Sequence, residues 1–130
     1  PSIRRAAQFG SMLEASHATI ESVRNVYGPE LEKANLKYGG NATLGGMFHG
    51  WVGEELSPQT REQRYFGWKG DALDPMAAGT PEQCADSIRT YRDAGMQHFV
   101  LDFHRHGLDP VDSIHEQLDR WANEVLPLLD

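Results

Sequence analysis

A chain of 130 residues, 39% of them hydrophobic, has material for one domain with a modest core. Its formal charge of −7 argues against nucleic acid or an anionic membrane as the main partner, and no apolar run approaches a membrane span. No signal peptide is visible, and the single cysteine, Cys84, excludes an internal disulfide and suits a reducing cytoplasm.

The elements alternate between helical and extended patterns. Residues Pro1 to Phe9 predict a short helix ended by Gly10, and Ser11 to Leu13 a very short strand. Ser16 or Thr19 can cap a second helix reaching Tyr27, where Gly28-Pro29 is expected to break the pattern. Pro29 then opens a further helical turn through Leu31, Ala34 and Leu36, and Gly39-Gly40-Asn41 is a turn. Met47 to Val52, in an apolar stretch laced with glycine, predicts a buried strand. Glycines inside a strand mark close approach of backbone or ligand, or a bulge. Ser57-Pro58 opens a polar helix to about Tyr65, followed by an irregular connector over Gly67 to Ala78.

The segment from Gly79 to Phe103 carries the strongest signal. Thr80 suits the N-cap, Pro81 the first helical position and Gln83 the reciprocal place in a capping box. Cys84, Ala85, Ile88 and Tyr91 recur on one helical face, so the Cys84 thiol is expected to be buried and structural. Gly95 supplies a left-handed stop, and Phe99-Val100-Leu101 predicts a short buried strand. A helix feeding directly into a strand is the unit of α/β proteins. Asp109-Pro110 starts a last helix, whose stripe of Val111, Ile114, Leu118, Trp121, Val125 and Leu128 is expected to be core until Pro127 ends or distorts it.

Gly79-Thr80-Pro81-Glu82, Tyr91, Ala94-Gly95-Met96 and His98-Phe99-Val100-Leu101, with the later Glu124 to Leu129, resemble the C-terminal end of the luciferase-like monooxygenases. Arg4-Arg5-Ala6-Ala7 matches more loosely. The resemblance implies a TIM-barrel oxidoreductase using reduced flavin mononucleotide (FMN) or a deazaflavin. A full barrel typically needs about 250 residues. The expected fold is therefore α/β, the C-terminal part of a (β/α)8 barrel with about three strand-helix units, forming one partial-barrel domain over residues 1–130. The start at Pro1, without an initiator Met, fits a fragment of a longer chain.

Three groups are candidate site residues. Ser2, at the first helix start beside Arg4 and Arg5, can contribute to a phosphate site, since the resembled family binds its cofactor phosphate just before this helix; the alternative is a solvated helix start. His104, Arg105 and His106 follow the strand ending at Phe103, where barrel active sites are built: Arg105 suits an anionic group and the histidines suit proton transfer. An ordinary polar loop is the alternative. His49 and Trp51 lie near the end of the other strand, where Trp51 can wall a flat cofactor ring or simply join the core. His49, His104 and His106 do not complete a metal-ligand pattern. The expected function is flavin- or deazaflavin-dependent oxidoreduction on a small molecule, by a cytoplasmic homo-oligomer. The alternatives are a non-catalytic partial barrel that binds or oligomerises and a metal-dependent barrel hydrolase.

Overall fold

Helix and strand alternate along the residues that the computed structural model describes, 2–15, 18–54, 76–103 and 111–130. Helix α1 (Ser2–Phe9) stops at Gly10, whose φ of 63° closes the turn, and leads into strand β1 (Leu13–Glu14). The Thr19 hydroxyl caps α2 (Ile20–Ser22) by accepting from the Ser22 N–H at 3.1 Å.

Pro29 opens a further helix, as the sequence expects, but the chain does not leave helical angles at Gly28-Pro29. A wide turn over Val23–Tyr27 joins α2 to α3 (Gly28–Tyr38), and Tyr27 and Gly28 both keep helical angles. In that turn the Gly28 N–H reaches the carbonyl of Val23, five residues back. The extra residue relaxes the crowding that a proline ring imposes on the preceding helical carbonyls. The same device recurs at the C-terminus: α5 (Val111–Arg120) opens into a wide turn over Trp121–Val125, the Leu126 N–H bonds the Trp121 carbonyl, and Pro127 follows. There the chain tightens into a 3-10 turn (Leu126–Leu128), so Pro127 does end the helix.

Strand β2 (Leu44–Val52) begins three residues before the expected Met47, and β3 (Met76–Gly79) occupies part of what the sequence reads as an irregular connector. Ala77 and Ala78 are buried against β2, and this pairing makes the strand where local pattern does not. The polar helix expected after Ser57-Pro58 and the cap at Asp109-Pro110 lie outside the described residues. Helix α4 (Pro81–Asp93) carries both bonds of the capping box, Thr80 Oγ1 accepting from Gln83 N–H and Gln83 Oε1 from Thr80 N–H. Gly95, at φ 110°, turns the chain into β4 (His98–Asp102).

All pairings in the four-stranded sheet are parallel. Gly45 pairs with both Glu14 and His98, and His49 with both Met76 and Asp102. Strand β4 therefore lies on one side of β2, while β1 and β3 share the other at successive levels. Alternation along β2 sends Leu44, Phe48 and Val52 toward the helices. Phe48 meets Tyr91 edge-on at 4.8 Å in one core cluster, and Val52 packs with Ala77, Cys84, Trp121 and Val125 in the other. The Tyr91 hydroxyl donates to the Ala18 carbonyl at 3.0 Å, and Cys84 is fully buried as expected.

Two burial expectations are corrected. Val100 is 46% exposed, because register with Met47 turns it to the sheet face away from the helices; Phe99 and Leu101 point the other way and pack on the core. Leu118 is 49% exposed, and its neighbour Gln117 takes the buried place at 3%. Gln117, Trp121 and Val125 are four apart, a spacing that overshoots a full α-helical turn by about 40°. The wide turn at Trp121 takes up that overshoot and keeps the face in register.

Candidate functional site

The sheet face away from the helices collects the chemistry. Strand β2 contributes Met47, His49 and Trp51 to it, β4 contributes His98, Val100 and Asp102, and β1 contributes Glu14. In a barrel this face lines the interior, and reactive groups gather at the strands' C-terminal ends. His49 and Asp102 sit there as register partners: His49 Nδ1 stands 3.8 Å from Asp102 Oδ2, with side chains 15% and 33% exposed. Trp51, two residues beyond His49, is half-buried on the same face.

The glycines of β2 accommodate protein side chains. A Cβ at Gly45 would overlap the Met12 side chain, one at Gly46 would lie 2.8 Å from Met96 Cε, and one at Gly50 would lie 2.9 Å from Phe103. Phe103 in turn packs edge-on to Trp121 at 6.1 Å, and Trp121 Nε1 is buried without a hydrogen-bond partner among the described residues. Close packing explains the glycine-rich strand.

The strand end that follows Trp51 is fixed from the side. Pairing with β4 ends at the His49–Asp102 level, and beyond it Gln117 takes the place of a strand. Its Oε1 accepts from the Val52 N–H at 2.6 Å, and its Nε2 donates to the Val52 carbonyl at 3.0 Å. Arg120 Nη1 donates to the same carbonyl at 2.8 Å while its Nε and Nη2 hold Glu124 at 2.8 and 2.9 Å. Hydrogen bonding to Glu124 raises the Arg120 pKa, and the same bond holds the Glu124 carboxyl below its ordinary value. Three polar groups thus converge on one backbone unit, leaving it no buried donor or acceptor unmet.

Of the residues proposed from sequence, the structure brings His49 and Trp51 together on the inner face. Ser2 opens α1, is exposed, and belongs to the helix layer, where α1 packs on α3 and β1. Its neighbour Arg4 lines a groove of about 310 Å³ with Lys33, Lys37 and Tyr38 of α3. His104, Arg105 and His106 lie outside the described residues. The sequence pattern does not single out Asp102, Gln117 or Arg120. Asp102 enters only through strand register, and a glutamine on a helix says nothing of a strand end 65 residues away. Among the described residues no three His, Cys, Asp or Glu side chains converge as metal ligands. No described helix is long and apolar enough to cross a membrane.

No protein-family model matches the chain, and no curated protein matches it. A solved structure of an F420-dependent secondary alcohol dehydrogenase, in complex with an F420–acetone adduct, is similar in fold, with a TM-score of 0.70 over 98% of this chain at 16% identity. This chain spans 46% of that one. The likeness shows the fold: α/β, part of a (β/α)8 barrel.

Proposed function

We propose that this chain is the C-terminal part of a luciferase-like oxidoreductase that uses a deazaflavin, in preference to FMN. The observation that carries this reading is the barrel likeness to an F420-dependent enzyme over 98% of the chain, joined to a cluster of His49, Trp51 and Asp102 at the strand ends of the inner face. A deazaflavin, when bound, supplies two-electron hydride chemistry. The inner face fits such a group, offering the half-buried indole of Trp51 beside a titratable pair.

The protein's part is to bind, orient and exclude water. Trp51 would cover one face of the ring system, with His49 beside it. Gln117 and Arg120 keep the Val52 end of β2 from shifting, which holds Trp51 in place. Arg105 would pair with an anionic group of cofactor or substrate, His104 and His106 would serve proton transfer, and Ser2 would join the phosphate contacts. Titration with F420 and with FMN, followed by Trp fluorescence in the chain and in Trp51→Phe, tests this. Saturable F420 binding that weakens in the variant is expected; no binding of either cofactor defeats the reading.

The exposed Val100 on the inner face favours a second role as a self-associating module. Sedimentation at micromolar concentration checks it, and a stable monomer would remove it.

A further inference from the structure

We propose that the helix layer carries a docking surface for a second copy of this chain, the groove between α1 and α3 of one copy receiving the acidic face of α5 of the next. The inference is independent of the oxidoreductase reading and uses no residue of the inner sheet face. The groove, of about 310 Å³, is bounded by Arg4 on α1 and by Lys33 and Lys37 on α3, with Ile3 and Ala34 as apolar wall. Glu30 also lines it, so three cations stand against one carboxylate, a net of +2. Lys33 Nζ lies 3.9 Å from Glu30 Oε1, one turn back, which balances those two charges. Arg4 and Lys37 are exposed and have no carboxylate partner among the described residues. Lys37 Nζ sits over the Tyr38 ring at 5.3 Å, a contact that steadies the side chain without neutralising it.

The opposite charge lies on α5 and the turn after it. There Glu116, Asp119, Arg120, Asn123 and Glu124 line a second concavity of about 430 Å³, with three carboxylates against one cation, a net of −2. Arg120 holds Glu124 through both Nε and Nη2. Glu116 and Asp119, exposed and one turn apart, are left without an ion-pair partner among the described residues. Two free cations on one surface thus match two free carboxylates on the other. Each patch also has an exposed leucine beside it. Leu36 stands one turn on from Lys33, and Leu118 next to Asp119.

A chain of net charge −7 repels its own copies in general, but at physiological ionic strength that repulsion is screened beyond a Debye length of about 8 Å. Charges brought into contact keep their attraction, so complementary patches select one orientation. Because the two patches differ, the contact is head-to-tail, each copy offering its groove to one neighbour and its α5 face to another. It rests on exposed charges and is therefore weak and transient.

Two double variants isolate a single such contact. Glu116→Gln with Asp119→Asn keeps the groove and loses the acidic face, while Arg4→Gln with Lys37→Gln keeps the acidic face and loses the groove. All four side chains are exposed, so both variants should keep the circular dichroism spectrum and thermal midpoint of the unmodified chain. The first is isotope-labelled and the second added unlabelled, to about 1 mM in about 0.1 M salt. Progressive NMR shifts are expected at the amides of α1 and α3 and not on the inner sheet face. The groove variant, labelled and titrated with its own unlabelled form, should show a Kd at least about tenfold higher. Sedimentation of the first variant alone separates the local contact from general charge. Each of its two substitutions removes one negative charge, taking the net from −7 to −5, so it repels itself less and yet should associate less than the unmodified chain. Greater association overturns the proposal. Absence of shifts at α1 and α3, or shifts confined to the strands, overturns it as well. If an octaglutamate peptide binds the groove more tightly than the chain does, the groove takes acidic segments in general and the assignment to a second copy falls.

Discussion

The two faces of the same sheet are built on different terms. Toward the helices, Leu44, Phe48 and Val52 of β2 are at most 2% exposed, and every level meets an aromatic or aliphatic partner. On the inner face the same strand presents Met47, His49 and Trp51, and β4 adds an exposed valine and an aspartate. One face is a completed core. The other has polar and aromatic groups where packing alone would place aliphatic ones.

Substitution at matched positions sharpens this contrast. Phe48→Ala, deleting a ring that packs on Tyr91 and Phe99, should cost about 3–5 kcal/mol in denaturant unfolding. A cost near that of a surface change would mean the helix-facing core is not formed.

Gln117→Ala removes two bonds to Val52 and leaves a buried backbone N–H unmet, so about 1–3 kcal/mol should be lost by the same measurement. Leu118→Ala, one residue on, should change stability by less than about 0.5 kcal/mol, because Leu118 is half-exposed. If the costs were reversed, the apolar stripe of α5 would dock through Leu118 after all.

Val100→Ala on the inner face should likewise fall within about 0.5 kcal/mol. A loss comparable to that of Phe48→Ala would show that a second copy or another barrel segment covers this face.

The smallest effect concerns pH. The Glu124 carboxyl is held below its ordinary value by Arg120, so its share of stability is present above the ordinary carboxylate range and is lost as pH falls through the lowered value. Thermal unfolding of Glu124→Gln should therefore differ from the unmodified chain near neutral pH and converge with it in acid. The difference should be slight, since the group is solvent-exposed.

Much of this was legible in residue order. The capping box at Thr80 and Gln83, the buried face of Cys84, Ala85, Ile88 and Tyr91, and the stop at Gly95 are local devices, settled by contacts within a few residues. The α/β alternation and the barrel likeness follow from such units in series. Within the candidate site, His49 and Trp51 stood out by residue type near a strand end.

Tertiary contact decided the rest. Gly28-Pro29 reads as a break because proline is costly in a regular α-helix, yet a wide turn absorbs it. Met76–Gly79 has no periodic signal and becomes a strand only by pairing with β2. Gln117 outranks Leu118 because pairing with β4 ends at His49, three residues short of Val52, and an amide can complete the ladder where a methyl group cannot. Asp102 meets His49 through strand register, which depends on how two segments 53 residues apart align. Periodicity reports which residues share a face; it carries no information on which distant backbone group that face will meet.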